Sequence, residues 1–428
     1  MRFTFARLVL LGIFLFAGLA TLYAEDWVRF RGTDGGGISS ETVPTTWSAT
    51  ENLRWKTPLP GPGTSSPIVV GDRVFVTCFI GYSASGGSPS RLERSLICLD
   101  RKTGAIKWEE KVKAVLPEDP AEGFINDHGY ASSTPTSDGE RVYVFYGKSG
   151  VLAYDLSGKK LWETSVGTGT SQPRWGSGAS PILFEDLVIV NAAIESRTIY
   201  ALDKLTGEIK WKSPADSLNL TYSTPILVKG KEKTEMIVSV PGEVWGMNPR
   251  TGKLIWYAKT NVEGNASPSA IAHVDTVYLT GGRPAGTTAV KIGGKGDVTK
   301  DNVLWSVRNG SYVPTPVYHD GKLYWVSDQG LACAVDAKTG ESIYKERMGS
   351  GSGGLRGRPF YASVSLIGDK LYAVSRNNGT YVYETGDTFK ILHTNKLGDD
   401  TSDCNASPAV SNGELFLRSN EAIYCIGK

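Results

Sequence analysis

The residues of this chain best suited to binding a ligand are a set with aromatic, imidazole, guanidinium and amide side chains. They share one position, because they lie in the segments that lead into a repeated Ser/Thr-Pro pair or its Ser-Val equivalent. They are His128, Tyr130, Arg174, Trp175, Tyr222, Asn265, Tyr312, Arg356, Arg358, Tyr361 and Asn405. Aromatic faces stack on rings, guanidinium groups pair with anions and amides make directed hydrogen bonds. The set predicts a site for a carbohydrate, a peptide or an anionic ring compound; the alternative is that these residues only pack loops around a hydrated channel.

The sequence offers little to nucleophilic or metal-dependent chemistry. Its four histidines are scattered, and the run Gly-Ser-Gly-Ser-Gly at residues 349–353 matches Gly-x-Ser-x-Gly only in part and lacks the strand-to-helix elbow that such a nucleophile needs. The four acids and the histidine of the long segment 112–130 match no known spacing of metal ligands. We therefore predict no catalytic residues and no metal ligands.

A repeated unit positions the candidate binding residues. Its copies begin at Ser66-Pro67, Thr134-Pro135, Ser180-Pro181, Thr224-Pro225, Ser267-Pro268, Thr315-Pro316, Ser363-Val364 and Ser407-Pro408. From Pro135 to Pro316 successive prolines lie about 45 residues apart, and a period of that size with several short apolar runs per unit is typical of propeller blades. Short runs separated by Gly, Asp and Ser predict four strands in each unit. The loops that enter the innermost strands then surround one mouth of a central channel, called the funnel face below.

Most units also carry an aromatic residue four positions after a turn glycine, as in Gly104 and Trp108. A constant offset places each aromatic on one face of the outer strand, where it can fill the gap to a neighbouring blade. Including a tryptophan before the first unit, the predicted structural residues are Trp55, Trp108, Trp162, Trp211, Trp256, Trp305 and Tyr344.

The ends of the chain predict how the ring closes. The eighth unit stops at Lys428 without an outer strand, and residues 53–58 resemble the missing strand. Pairing of that segment with the C-terminal strands would leave no open seam. The predicted fold is all-β: one eight-bladed propeller of four-stranded antiparallel blades over residues 53–428, after an N-terminal extension at 25–52.

The first 24 residues have the features of a secretory signal. Arg2 and Arg7 flank the start of an apolar run that is too short for a comfortable transmembrane helix, and Ala24 offers a cleavage point. We predict an exported protein, periplasmic or secreted, with retention of the segment as an anchor as the alternative. Loss of Arg2 and Arg7 leaves 44 basic against 44 acidic residues, which argues against nucleic acid as a partner.

Five cysteines in an exported chain cannot all pair within one molecule. Cys78 and Cys98 fall on strands expected to be adjacent in the first blade, so a cross-strand disulfide between them is a candidate. Cys333, Cys404 and Cys425 have no obvious partner, and buried free thiols are the simplest interpretation.

The unit Leu-Asp-x-x-Thr-Gly-x-x-x-Trp, seen at residues 99–108 and again at 202–211, resembles the tryptophan-docking repeat of pyrroloquinoline quinone (PQQ) dehydrogenases and their non-enzymatic relatives. Segments 26–37 and 53–61 resemble exported PQQ-like repeat proteins of planctomycete-type bacteria, and the B subunit of the outer-membrane barrel-assembly machine is another eight-bladed relative. The resemblance departs at the cofactor, because the enzymes' pair of adjacent cysteines is absent and their calcium ligands have no secure counterpart.

The resemblance leaves three hypotheses. The first is a non-catalytic, monomeric module that binds a protein or glycan partner through its funnel face. The second is a small quinoprotein oxidoreductase holding PQQ and calcium, for which Arg174, Trp175, Asn265 and Asn405 are the first residues to suspect. The third is an assembly scaffold at the outer membrane, with residues 112–125 as the contact segment.

Overall fold

A computed structural model describes residues 26–230, 233–349 and 358–428. Eight sheets of four successive antiparallel strands form the ring, which confirms the predicted eight-bladed all-β propeller. The signal segment 1–24 and the candidate Arg356 lie outside the described residues. Within the described ranges, no helix is long and apolar enough to cross a membrane.

The blades are numbered along the chain, and their strands run from the central channel outward. Blades 1 to 4 consist of Ile68–Val70, Arg73–Ile80, Glu93–Asp100 and Ile106–Lys113; Thr136–Ser137, Arg141–Phe145, Val151–Asp155 and Lys160–Thr164; Ile182–Phe184, Leu187–Ala192, Thr198–Asp203 and Ile209–Pro214; Ile226–Lys229, Thr234–Val240, Glu243–Met247 and Leu254–Lys259. Blades 5 to 8 consist of Ile271–His273, Thr276–Gly281, Gly286–Lys291 and Val303–Val307; Val317–His319, Lys322–Val326, Leu331–Asp336 and Ser342–Arg347; Ser365–Ile367, Lys370–Val374, Thr380–Glu384 and Ile391–Asn395; Ala409–Ser411, Glu414–Arg418, Ala422–Ile426 and, as the outer strand, Leu53–Pro58.

Small elements decorate this ring. The added strands are Ile38–Ser39 beside blade 7, Gly296–Asp297 beside blade 4 and the hairpin Tyr82–Ser83 with Gly86–Gly87; the short helices are Ile125–His128, Ala193–Ser196 and Thr299–Asn302, and the 3-10 turns are Pro89–Arg91, Gly147–Ser149 and Asp216–Leu218. Of these elements, the helix Ile125–His128 contributes directly to the candidate site.

The ring closes as the sequence predicts. Leu53–Pro58 pairs antiparallel with Ala422–Ile426, with Trp55 opposite Cys425. The C-terminal blade therefore takes its outer strand from the N-terminal side of the propeller, which fixes both ends of the repeat region.

Five docking tryptophans bind the next blade through the indole N–H. Each donates to the carbonyl oxygen of the residue that follows the Asp or Asn of a turn, at nitrogen-to-oxygen distances between 2.8 and 3.2 Å. The pairs are Trp55–Arg101, Trp108–Leu156, Trp162–Lys204, Trp211–Pro249 and Trp305–Ala337. The indole also covers the glycine of that turn, so the repeated glycine and the repeated tryptophan form one contact between different blades.

Trp256 and Tyr344 depart from this pattern. Trp256 is fully buried and donates its Nε1–H to Glu235 of its own blade at 2.6 Å. Tyr344 packs on Phe389 of the next blade, with 5.7 Å between ring centroids. Both fill a gap between blades, but neither bonds a turn of the following blade as the five tryptophans do.

The N-terminal extension repairs the gap that the repeat leaves between blades 7 and 8. Blade 7 has His393 opposite Val382, at the position where other blades place an aromatic residue. Trp47 of the extension is buried in a cluster that contains residues of both blades. Its backbone N–H donates to Asn395 Oδ1 at 3.1 Å, which ties the extension to the outer strand of blade 7.

The hydroxyl residues of the repeat form a closed hydrogen-bonded ring around the channel. Each blade contributes one serine or threonine, whose backbone N–H donates to the side-chain oxygen of the corresponding residue in the next blade, at 2.9 to 3.1 Å. The members of this hydroxyl ring are Ser66, Thr134, Ser180, Thr224, Ser269, Thr315, Ser363 and Ser407. The Ser/Thr of the repeat is therefore a joint between neighbouring blades.

In the fifth repeat, the Ser-Pro pair does not mark the residue that joins the hydroxyl ring. Its Ser-Pro pair suggests Ser267 as the equivalent residue, but Ser269 occupies the hydroxyl ring. Both serines flank Pro268, and the innermost strand starts at Ile271, two residues after Ser269, just as Ile68 follows Ser66. The true register is two residues later, so Ser267, not Asn265, stands two positions before the ring residue, as Tyr222 and Asn405 do in their repeats.

The predicted disulfide is also wrong. Cys78 lies opposite Ser95 and Cys98 lies opposite Phe75, so the two cysteines are offset along the ladder between the second and third strands of blade 1. All five cysteines are free. Bridged residues on paired strands must sit opposite each other, and this register separates them.

Replacing Gly252 with alanine is expected to destabilise the propeller by about 2–4 kcal/mol, from left-handed strain and from overpacking. A Cβ at Gly252 would lie 2.3 Å from the Trp211 ring of the preceding blade. Gly321→Ala is the matched control, because Gly321 has a similar φ of +73° and no heavy atom within 4 Å. Chemical denaturation should show a clearly larger loss for Gly252→Ala, and equal losses would refute the docking role of the glycine.

Candidate functional site

A cavity of about 170 Å³ occupies the funnel-face half of the central channel, and it is called the chamber below. All eight members of the hydroxyl ring line it. The other lining residues are Phe30, Thr64, Phe124, His128, Ser132, Trp175, Gly178, Tyr222, Ser267, Tyr312, Val313, Tyr361 and Asn405. The lining is hydroxyl, amide and aromatic, and it contains no carboxylate.

The N-terminal segment closes the opposite end of the channel. Residues 27–37 run from blade 1 to blade 7: the Trp27 carbonyl accepts the Val69 N–H at 2.9 Å, and the Gly37 carbonyl accepts the Leu366 N–H at 2.9 Å. Phe30 of this segment reaches the chamber and forms its floor. We call residues 27–37 the plug; the sequence predicted only an extension here.

Two buried arginines hold the plug. The Arg31 guanidinium donates to the carbonyls of Pro316 at 2.6 Å and Val364 at 3.0 Å, and Arg29 reaches the Pro225 carbonyl at 3.4 Å. Burial lowers the pKa of Arg29 to about 10 and that of Arg31 to about 9, because the charged groups lose their hydration. Their attachment points directly follow the hydroxyl ring, so both charges lie just beneath it.

The long insertion between blades 1 and 2 forms a lid over the chamber. Its helix Ile125–His128 is held by Asp127, whose carboxylate accepts the Tyr361 hydroxyl at 2.9 Å and the Arg376 guanidinium at 3.0 Å. The Asp127 carbonyl accepts the Asn405 amide at 2.6 Å. The lid is therefore bound to blades 7 and 8, across the seam where the ring closes.

Aromatic and guanidinium groups gather around the lid, and this set is called the mouth cluster. Phe124 meets Trp175 edge-on at 4.6 Å between centroids. The Arg358 guanidinium lies 4.3 Å from the Phe124 ring centre, and the exposed Arg283 lies 4.0 Å from the Tyr312 ring centre. Cation–π pairs of this kind keep guanidinium groups presented at a surface while their faces are covered.

His128 is held as a neutral positioning group. Its Nε2 lies 2.7 Å from the Trp175 carbonyl, which can only accept, so Nε2 carries the proton. Its Nδ1 lies 2.6 Å from Ser132 Oγ and accepts that hydroxyl. Burial lowers the pKa of His128 because the charged form loses its hydration, and both ring nitrogens are already used by the protein.

The structure brings most of the predicted binding residues together. His128, Trp175, Tyr222, Tyr312, Tyr361 and Asn405 line the chamber, and Arg358 stacks in the mouth cluster. Three are placed elsewhere. Tyr130 is buried beneath the insertion against Phe79 and Tyr82, Arg174 is exposed outside the lining, and Asn265 is buried behind Ser267, to which it donates at 2.8 Å.

Sequence reasoning missed residues from two sources. Arg283, Asp328 and Arg376 lie in turns between the second and third strands of their blades, and these turns open on the same face as the loops entering the innermost strands. Phe30 comes from the plug, which carries no repeat. The strand count alone could have identified the turns, because antiparallel alternation puts both kinds of connection at one end of the ring.

A compact group of buried charges anchors the insertion behind the chamber. Arg94 pairs with Glu118 at 2.5 Å and Lys148 pairs with Asp119 at 3.2 Å, and all four side chains are at most 6% exposed. Glu195 lies beside them; its Oε1 accepts the Ser177 hydroxyl, and its Oε2 has no hydrogen-bond partner among the described residues. Burial raises the pKa of Glu195 from its ordinary value of 4.5 to about 7.

The ionisation of Glu195 is expected to reduce stability as the pH rises. Because its pKa is higher in the folded chain than in the unfolded chain, the folded state binds more protons between pH 4.5 and 7, and stability falls across that window. Glu195→Gln, which imitates the neutral acid, should equal the wild type near pH 5 and exceed it at pH 8 by roughly 3 kcal/mol. Urea denaturation at both pH values measures this, with exposed Glu341→Gln as the control; equal pH profiles for wild type and Glu195→Gln would contradict it.

The described residues offer no metal centre. Within the described ranges, no group of three or more His, Cys, Asp or Glu side chains is arranged to hold a metal ion. Near the chamber, Asp127 is already bonded by Tyr361 and Arg376. Calcium requires several oxygen ligands, usually including carboxylates, and the lining offers only hydroxyl and amide oxygens.

Comparison with known proteins identifies the repeat. A family model described as outer membrane protein assembly factor BamB matches residues 39–171, 81–211 and 148–385. The curated protein of that name from Yersinia pestis is 22% identical over 308 residues, covering 68% of this chain and 72% of that protein. Polyvinylalcohol dehydrogenase from a Pseudomonas species is 24% identical over 243 residues, covering 52% of this chain and 31% of the dehydrogenase.

Solved structures agree on the fold. BamB from Moraxella catarrhalis superposes with a TM-score of 0.60 at 12% identity, over 88% of this chain and 97% of that one. At such identities the likeness establishes the fold and leaves the function to be argued from the site.

Proposed function

The chain belongs to the PQQ-like repeat family described as outer membrane protein assembly factor BamB, and on that premise we propose that it is an exported, non-catalytic propeller that binds a protein partner at its funnel face. The name of the Yersinia pestis relative describes an assembly factor. A role as a binding scaffold is the activity that such a relative suggests for this chain. Export is part of the proposal, through the signal-like residues 1–24.

The mouth cluster is the observation that supports docking at this face. Trp175 is partly exposed, Arg283 is exposed, and Arg358 is stacked on Phe124. Trp, Tyr and Arg are the residue types that most often dominate the energy of protein interfaces. Since Arg283 already covers Tyr312 and Arg358 is bonded to Tyr361, these side chains lose less conformational freedom on binding than free arginines would.

The experiment compares the two faces of the ring. A partner captured from periplasmic extract by the purified wild-type protein should bind Trp175→Ala and Arg283→Ala at least tenfold more weakly. Arg250→Ala is the matched control, because Arg250 is an arginine 5.6 Å from the ring centre of Phe184 but lies in a turn at the opposite face. Binding that is unaffected by the first two substitutions, or lost with Arg250→Ala, would overturn the proposed face.

The quinoprotein hypothesis is tested separately. The chamber has no carboxylate, so its residues do not fit a calcium ion, and we derive no redox step from it. Titration with PQQ and calcium should leave the tryptophan fluorescence unchanged at micromolar cofactor. Saturable quenching together with dye reduction would replace the scaffold proposal with an oxidoreductase.

A further inference from the structure

The hydroxyl ring leaves a set of unused hydrogen-bond donors pointing at the chamber. Each ring oxygen accepts a backbone N–H from the preceding blade, as Thr315 Oγ1 does from Ser269 at 3.1 Å. The hydroxyl proton of each member has no acceptor among the described residues, although every member is at most 4% exposed. Buried donors seek acceptors, so the ring favours a ligand rich in acceptor oxygens.

The charge beneath the ring points to an anion. Arg29 and Arg31 are 7% and 1% exposed, and their hydrogen bonds go to carbonyl groups instead of carboxylates. Arg29 Nε has no partner at all among the described residues. The Asp34 carboxylate of the plug acts on both charges but forms no ion pair with either guanidinium group among the described residues. Since one carboxylate faces two guanidinium groups and no acid lines the chamber, the floor keeps a net positive charge, and fixed charges act strongly where water is excluded.

The half of the chamber nearer the lid favours a ligand group that donates a hydrogen bond. Asn405 is 8% exposed, and its amide nitrogen is committed to the Asp127 carbonyl. Its Oδ1 therefore faces away from that bond, and it has no donor among the described residues. Trp175 and Tyr222, from the segments that lead into blades 3 and 4, line another part of the wall with their ring centres 6.1 Å apart. This half suits a hydroxyl-bearing body with an apolar face.

From these observations we propose that the chamber binds a single acidic sugar ring, a uronate. Its carboxylate accepts the ring hydroxyls above the plug arginines, one of its hydroxyls donates to Asn405 Oδ1, and its C–H face lies against Trp175. A cavity of about 170 Å³ suits a ligand of one six-membered ring. An aromatic acid would satisfy the hydroxyl ring but leave Asn405 Oδ1 without a donor. This inference shares Trp175 with protein docking at the mouth cluster, but otherwise depends on the hydroxyl ring, the plug arginines and Asn405.

Calorimetric titration with free monosaccharides tests the proposal. Glucuronate should bind saturably and at least tenfold tighter than glucose, which lacks the carboxylate, and at least tenfold tighter than benzoate, which lacks hydroxyls. Val313 lines the chamber and is partly buried. Val313→Asp, which adds a negative charge to the lining, should weaken glucuronate at least tenfold, whereas the neutral isostere Val313→Asn should change it less than threefold.

Each other outcome overturns the proposal. Equal binding of glucose removes the role of the hydroxyl ring as an anion site, and tighter binding of benzoate replaces the sugar with an aromatic acid. Equal effects of Val313→Asp and Val313→Asn, with both variants melting like the wild type, would place the ligand outside the chamber. Absence of glucuronate binding up to 10 mM would refute the site outright, because a dissociation constant of that size corresponds to a binding free energy of only about −2.7 kcal/mol. That result would leave the funnel-face docking proposal untouched.

Discussion

Replacing Arg31 with methionine is expected to cost stability on the order of 4 kcal/mol and to release the plug from the channel. The side chain is 1% exposed and bonds the carbonyls of Gly36, Pro316 and Val364 at 2.6 to 3.0 Å. Methionine fills a similar volume without a donor, so it leaves two or more carbonyls buried and unpaired, at about 1–3 kcal/mol each. The desolvation that lowers the pKa of Arg31 is relieved at the same time, which keeps the net loss below the sum of the broken bonds.

The release of the plug can be separated from general instability. Limited proteolysis below the melting temperature should cut residues 27–37 of Arg31→Met while the blades stay intact, because those blades are held by their own sheets and docking contacts. Arg54→Met is the control: Arg54 pairs with Glu414 at 3.1 Å but its side chain is 42% exposed, and such ion pairs contribute about 0–1 kcal/mol. An uncut plug and an unchanged melting temperature in Arg31→Met would show that the guanidinium does not hold the segment.

The repeat made the propeller predictable because each repeated residue has a local job in every blade. The missing outer strand of the eighth unit even predicted the pairing of Leu53–Pro58 with the C-terminal strands. The repeat does not predict which residue of a neighbouring blade each repeated residue contacts. The turn glycine and the tryptophan four positions later look like one motif, yet Gly252 contacts Trp211 of the preceding blade, not Trp256.

The site was less predictable because its chemistry depends on segments that do not repeat. The plug arginines Arg29 and Arg31 lie in an extension with no periodic signal, and only the structure shows that they close the channel. Asn265 was misplaced because two serines flank Pro268 and the sequence cannot say which joins the ring. Tyr130 was misplaced because the insertion folds back on blade 1 and covers it against Phe79.

The repeated residues of the hydroxyl ring and the non-repeated residues of the plug and lid contribute differently to the chamber. Residues of the hydroxyl ring must hold the blades together, so their side-chain oxygens are fixed by the bonds between blades, as in Ser407 to Ser66 at 3.1 Å. The same bonds leave the eight hydroxyl protons without an acceptor among the described residues. A binding site can therefore arise from the joint that closes the ring, with the plug and the lid supplying the charge and the walls.

Replacing Trp256 with alanine is expected to cost about 3–5 kcal/mol, as for other large aromatic residues in a core. Its ring is fully buried between blades 4 and 5 and covers Gly246, where even a Cβ would come within 2.0 Å. Trp211→Ala should cost less, because Trp211 is only partly buried. Urea denaturation of both variants measures the difference, and an equal or smaller loss for Trp256→Ala would contradict the ranking.

Part of the loss at Trp256 should come from its partner. The indole N–H donates to Glu235, a carboxylate that is 6% exposed, and truncation leaves that group buried without its donor at about 1–3 kcal/mol. The double variant Trp256→Ala, Glu235→Ala should therefore be less destabilised than the sum of the two single variants. Strict additivity would show that the carboxylate finds other solvation, and the cost of Trp256→Ala would then be that of the cavity alone.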